Sequence, residues 1–162
     1  MHSIDKIDER LFLGNEAVAN SLEILTEHGI THILIAAKEL QPHFEGSFVY
    51  KKIDIYDQSN ADIRKYFGEC NQFIDEAISN NGKVLVHCYQ GISRSCTIVA
   101  AYLIYKKGYS CMYTLDLIKK KHHQCCPNDG FIKQLDEYSQ NLKHINPGLE
   151  EIKFSKCHCV VF

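Results

Sequence analysis

The stretch Val84-Leu85-Val86-His87-Cys88-Tyr89-Gln90-Gly91-Ile92-Ser93-Arg94-Ser95 constrains this chain more than any other. A short apolar run reads as a buried strand and feeds a compact loop. The loop opens into a segment, Ile98 to Ile104, that is apolar on every face and reads as a central helix. A cysteine begins the loop and an arginine closes it, with five residues between them. The backbone N–H groups of Tyr89, Gln90, Gly91, Ile92 and Ser93 can curl around an anion as a nest of partial positive charge. The following helix adds its unsatisfied N-terminal N–H groups and the positive end of its dipole. Arg94 offers a planar fork that pairs with two phosphate oxygens at once, which a lysine cannot do. A field that binds a dianion also favours an ionised sulfur: a thiol of reference pKa ~8.5 falls to ~3.5–7.5 in such surroundings. Cys88 is therefore a candidate nucleophile toward phosphorus.

The rest of the chain supplies strands and helices in alternation. Strand candidates are Arg10 to Leu13, Thr31 to Ile35, Phe48 to Ile55 and Lys83 to His87. Helical spacing links Leu22 with Leu25, then Ile63, Phe67, Cys70, Ile74 and Ile78, with Ser59 or Asp62 as its cap. Ser110 caps a helix carrying Cys111, Leu115 and Ile118, and Asn128 caps one carrying Phe131, Leu135, Tyr138 and Leu142. Gly29 and Gly108 read as helix stops. The pattern predicts a single α/β domain over residues 1–146, with a largely parallel, twisted sheet of about five strands flanked by helices, and a tail over 147–162. In such sheets ligands bind beyond the carboxyl ends of the strands, where Cys88 falls.

Composition narrows the function. At 162 residues, 45% hydrophobic and 23% charged, the chain has the balance of an ordinary globular domain. A net charge of -2 argues against nucleic acid as a partner. The N-terminus lacks the apolar core of a signal peptide, and no apolar run approaches bilayer-spanning length. Eight cysteines without a signal peptide imply free thiols in a reducing, cytoplasmic compartment. Neither Cys125-Cys126 nor Cys157-His158-Cys159 has the spacing of a zinc site, so no metal is expected.

His87-Cys88, Arg94-Ser95 and the internal Gly91-Ile92-Ser93 resemble the signature of the dual-specificity protein phosphatases, a branch of the cysteine-based tyrosine phosphatases. Ile7 to Gly14, Gly29 to Leu34 and Pro127-Asn128-Asp129-Gly130-Phe131 resemble further family segments, extending the likeness over residues 4–142. The resemblance implies hydrolysis of phosphotyrosine and phosphoserine or phosphothreonine through a cysteinyl-phosphate, without a cofactor. It implies Cys88 as nucleophile, Arg94 and the loop N–H groups as the oxyanion cradle, and Ser95 as the group that eases sulfur departure. His87 orients the loop and Asn128 supports it. The general acid is expected upstream at Asp57, in the polar loop after Ile53-Asp54-Ile55. Asp54 competes but suits a solvated or ion-paired strand carboxylate, and Asp62 suits a helix cap.

Blander readings stand beside these. Lys119-Lys120-Lys121-His122-His123 is explained by cations complementing a helix C-terminus, with docking of acidic substrates as the alternative. Cys96 is expected to pack in the core, with capture of an oxidised Cys88 as the alternative. Cys159-Val160-Val161-Phe162 forms a prenylation box whose terminal phenylalanine favours geranylgeranyl, and Cys157 is a palmitoylation candidate. Membrane association would follow, on the cytosolic face. A family relative ending in such a box has alanine at the position of Ser95, so this chain is not placed with it. Two rival functions remain: a phosphopeptide-binding pseudophosphatase, and the same chemistry on a phosphoinositide or another non-protein phosphate.

Overall fold

The apolar run Val84–His87 forms β5, the central strand of a five-stranded sheet with order β1-β2-β5-β3-β4. The computed structural model describes residues 3–145. The other strands are β1 (Asp5–Asp8), β2 (Leu11–Gly14), β3 (His32–Ala36) and β4 (Val49–Ile53). β5 pairs in parallel with both β2 and β3, β4 pairs in parallel with β3, and β1 alone runs antiparallel, against β2. Helices fill both faces. They are α1 (Glu16–Ala19), α2 (Leu22–Glu27), α3 (Phe67–Ser79), α4 (Arg94–Lys107), α5 (Cys111–Lys121) and α6 (Asp129–Ile145).

Period-two alternation divides each inner strand between two cores. Leu11 and Leu13, Leu34 and Ala36, and Val84 and Val86 point to the face covered by α3, α4, α5 and α6. Phe12, Ile33, Ile35 and Leu85 point to the other, beside Val18 and Leu25 of α1 and α2. Because α4 is surrounded by α3, α5, α6 and the sheet, every residue from Arg94 to Ile104 is buried. This explains its apolar sequence on all sides. Gly108 ends it in the left-handed conformation at φ 71°. No helix among the described residues is long and apolar enough to cross a membrane.

The structure departs from the sequence reading at element edges. β1 has no apolar run to announce it, since only Ile7 of its four residues is buried. The strand expected over Phe48 to Ile55 stops at Ile53. Beyond it, the Ile55 carbonyl accepts from the Lys38 N–H and from Arg94 rather than joining the ladder. Ile63 lies before a 3-10 turn, Arg64–Tyr66, and α3 begins only at Phe67. Asp62 accepts from the Lys65 N–H, so it caps that turn.

Phe131 is fully buried against this core. Truncating it to alanine is expected to cost about 3–5 kcal/mol. Leu22→Ala, at a half-exposed site, should stay within about 0.5 kcal/mol. Urea unfolding midpoints of the two variants check both values.

Candidate active site

β5 delivers Cys88 to the carboxyl edge of the sheet, and the loop that follows is held from outside by its carbonyl groups. The Glu16 N–H of α1 donates to the Tyr89 carbonyl at 3.1 Å, and the Cys126 N–H to that of Ile92 at 2.8 Å. Thr97 donates its hydroxyl to the Ser93 carbonyl at 2.8 Å, and a ring nitrogen of His122 lies 2.6 Å from the Gly91 carbonyl. Across a planar trans peptide, the N–H of the next residue points opposite to each carbonyl. Outward carbonyls thus turn the N–H groups of Gln90, Ile92, Ser93 and Arg94 to the inner side. Gly91 takes φ 71°, and a Cβ there would lie 2.9 Å from the Gly14 carbonyl oxygen, so the loop crosses β2 only with glycine at this point.

Under this loop the Cys88 sulfur is buried. It accepts the Gly91 N–H at 3.3 Å and lies 3.2 Å from the Ser95 Oγ. Both contacts place a donor on the sulfur when the hydroxyl donates. Arg94, the first residue of α4, lies across the site. Its Nη1 donates to Glu39 Oε2 at 2.8 Å and to the Ile55 carbonyl at 3.1 Å, and its Nη2 donates to Glu39 Oε1 at 2.5 Å. Those bonds use three of five N–H groups. The two that remain, on Nε and Nη2, form one edge of the guanidinium. Nε is buried with no hydrogen-bond partner. A buried orphan donor is costly, and a bidentate oxyanion on that edge would relieve it. The hydrogen bond from Arg94 holds the Glu39 carboxyl below the usual range. Glu39 had no motif to mark it; only the chain path after β3 brings it to Arg94.

Asp57 lies in an exposed loop and accepts from Asn128 Nδ2 at 2.9 Å. Asn128 has two further jobs. Its Oδ1 accepts the Phe131 N–H at 2.9 Å, capping α6, and its backbone N–H donates to Ser93 Oγ at 3.1 Å. One residue thus contacts α6, Ser93 of the loop and Asp57 through different atoms. Gly130 makes the approach possible: a Cβ there would meet the Ser59 carbonyl oxygen at 1.8 Å. Asp57, Ser59, Ile92, Ser93, Pro127 and Asn128 line one open groove beside the phosphate loop. Tyr89 and Gln90 of the loop are exposed.

The remaining candidates separate cleanly. Asp54 is exposed and ion-paired to Lys52, which lowers its carboxyl. Burial pushes the His87 imidazole down to about 4, against a weaker backbone contact to Cys88, so His87 is a neutral support beneath the loop. Cys96 is buried and directs its thiol at the Gly91 carbonyl, 3.6 Å away. Burial, then Cys125, pushes that thiol well up. Within the lysine run, Lys121 donates to the Ile7 carbonyl at 2.8 Å, tying α5 to β1, and Lys120 pairs with Asp116. Cys157 and Cys159 lie outside the described residues.

Known proteins resemble this chain in sequence and fold. Residues 11–141 match the family model "Dual specificity phosphatase, catalytic domain". Dual specificity protein phosphatase 1B of Arabidopsis thaliana is 43% identical over 140 residues, covering 86% of this chain and 84% of that protein. Dual specificity protein phosphatase 19 of Mus musculus is 40% identical over 128 residues, covering 79% of this chain and 58% of that protein. Among solved structures, the human tyrosine phosphatase-like serine/threonine/tyrosine-interacting protein superposes with TM-score 0.82 at 34% identity, covering 86% of this chain and 97% of that one. DUSP15 superposes with TM-score 0.81 at 36% identity, covering 88% and 93%.

Asn128→Ala removes the α6 cap and should cost about 1 kcal/mol in urea unfolding. Asn128→Ser keeps a capping oxygen and should cost less. A second expectation concerns pH. The unfolded chain protonates His87 below about 6.5, whereas the folded protein does so only near 4. Stability should therefore fall as pH drops through that window, by about 1.4 kcal/mol per unit from this residue. His87→Asn, which cannot titrate, should show a shallower slope when unfolding is followed from pH 7 to pH 4.

Proposed function

The chain belongs to the dual-specificity protein phosphatases and acts on phosphorylated proteins, and from that premise we propose that Cys88, Arg94, Asp57 and Ser95 carry the reaction. The observation that carries the assignment is the buried sulfur beneath the loop, with Gly91 N–H and Ser95 Oγ upon it and the orphaned Nε of Arg94 nearby. A sulfur lone pair of Cys88 forms the S–P bond while the bond from phosphorus to the leaving oxygen breaks. Asp57, protonated, gives its proton to that oxygen. Arg94, through Nε and Nη2, and the backbone N–H groups of Gln90, Ile92, Ser93 and Arg94 hold the equatorial oxygens as charge develops.

In the second step Asp57 takes a proton from water as the oxygen attacks phosphorus. The S–P bond breaks, and the Ser95 hydroxyl donates to the departing sulfur. Asn128 holds the Asp57 carboxylate at the groove while leaving its second oxygen unclaimed by that bond. His87 supports the loop from below without transferring a proton. The presence of nucleophile, arginine, acid and hydroxyl together supports turnover over mere capture of a phosphopeptide. The proteins acted on carry phosphotyrosine and phosphoserine or phosphothreonine on this reading.

The tail, residues 147–162, bears a second proposal. Cys159-Val160-Val161-Phe162 supports geranylgeranylation of Cys159, with Cys157 open to a palmitoyl group. Two lipids give stable anchoring where one is marginal, so the catalytic domain, residues 1–146, would work at the cytosolic face of a membrane. Intact-mass measurement of the protein from its native cell should show the prenyl mass with the last three residues removed. A free Cys159 with Phe162 still attached would end this proposal.

Cys88→Ser should abolish hydrolysis of an aryl phosphate while retaining phosphate binding. Asp57→Asn should lower kcat by roughly 10²-fold or more. It should also remove the alkaline limb of the pH–rate profile, because the acid must be protonated to work. Retention of that limb would move the assignment to another carboxylate.

A further inference from the structure

His122 ends α5 and is completely buried. Its Nδ1 lies 2.6 Å from Asp5 Oδ2 on β1, and its Nε2 lies 2.6 Å from the Gly91 carbonyl oxygen in the phosphate loop. An ionised carboxylate and a carbonyl only accept hydrogen bonds, so both ring nitrogens must donate. A neutral imidazole has one N–H and serves one of them. The imidazolium serves both, and the Asp5 carboxylate is its counter-charge. The neighbouring titratable groups do not compete for the ring nitrogens by any bond seen here. Lys121 is committed to the Ile7 carbonyl, Cys125 meets His122 through its backbone N–H, and the Cys96 thiol meets the same Gly91 oxygen at the longer 3.6 Å.

Gly91 is where this bridge reaches the chemistry. Its N–H lies on the Cys88 sulfur at 3.3 Å, and its carbonyl lies on His122. The planar Gly91–Ile92 peptide then points the Ile92 N–H away from His122, into the loop. We propose that His122, as an imidazolium strung between Asp5 and Gly91, is a positioning residue that sets this peptide for oxyanion binding and keeps the Gly91 N–H on the nucleophile. It touches neither substrate nor the reacting atoms. The proposal rests on Cys88 being the nucleophile. It gives β1, the one antiparallel strand, a purpose in the site: Asp5 anchors the far end of the bridge. Runs of basic residues at helix ends are common, and the sequence offered only helix-end complementation or docking of acidic substrates for the run that holds His122.

The test compares His122→Gln and His122→Arg with the unmutated protein. Glutamine is neutral and cannot donate on both sides, whereas arginine is charged and spaces its donors much as imidazole does. The readouts are kcat and KM on an aryl phosphate, inhibition by inorganic phosphate, and the rate of Cys88 alkylation by iodoacetamide at pH 6. His122→Gln should lower kcat/KM at least tenfold, weaken phosphate inhibition several-fold and slow alkylation. His122→Arg should restore all three to within about threefold. A Gln variant with a lower melting temperature but unchanged kinetics, inhibition and alkylation would overturn the proposal, because the contact would then only stabilise the fold. Failure of arginine to rescue a well-folded variant would overturn it too. If either variant does not fold, Asp5→Asn decides: it removes the counter-charge from a partly exposed site and should weaken phosphate inhibition and slow alkylation, and no change in either refutes the bridge. A Cys88→Ser control separates the two readings. Hydrolysis that survives in Cys88→Ser sinks the nucleophile assignment and this proposal with it, whereas loss in Cys88→Ser with unaltered His122 variants sinks only the proposal.

Discussion

A loop that offers its N–H groups to an anion must send its carbonyl groups somewhere else. That requirement governs most of this structure. Buried carbonyls need donors, and here the donors come from four places: α1 through Glu16, α4 through Thr97, the end of α5 through His122 and the segment before α6 through Cys126. Each of these elements sits where it does because the sheet and α4 hold it there. The loop is thus preorganised by the whole domain, which is what makes its dipoles effective against charge developing in a reaction.

Arg94 follows the same logic with its own donors. Glu39 and the Ile55 carbonyl take the outer end of the guanidinium and leave a single edge, Nε with Nη2, for a ligand. Burial works against the charge of Arg94, and Glu39, Cys88 and Asp57 together more than offset it. Across the groove, Asn128 joins the start of α6, the loop and Asp57 through three separate atoms. The contact of Gly130 with Ser59 brings the Asp57 segment down onto α6. The Cys88 to Arg94 loop, Glu39 and Asp57 come from distant parts of the chain, and their spacing depends on packing between helices and sheet.

Much of this was legible beforehand. Val84 to Ser95 announces strand, loop and helix by composition alone, and the all-apolar Ile98 to Ile104 can only be central. The apolar runs of β2 and β3 read as strands, and the pleat then divides Leu11, Leu13 and Leu34 from Phe12, Ile33 and Ile35. Less legible were features made by contacts distant in sequence. β1 is short and charged, so nothing local marks Asp5–Asp8 as a strand; it exists because β2 offers a free edge. Glu39 is an ordinary loop glutamate until the chain folds back over Arg94. His122 belongs to a basic run in which Lys121 ties α5 to β1 and Lys120 pairs with Asp116 along the helix.

Local chemistry by itself determined the reaction class: a cysteine and an arginine with five residues between them, between an apolar strand and an apolar helix, leave few other uses for so much converging positive potential. It also determined the α/β class, because hydrophobic periodicity is written residue by residue. Tertiary structure decided which acceptors each donor meets. It gave Arg94 its Glu39, Asp57 its Asn128, and the Gly91 carbonyl its His122 across 31 residues of chain. Hydrogen bonds of that kind depend on directions and distances between separately folded segments, and those are fixed only when the sheet and its helices pack.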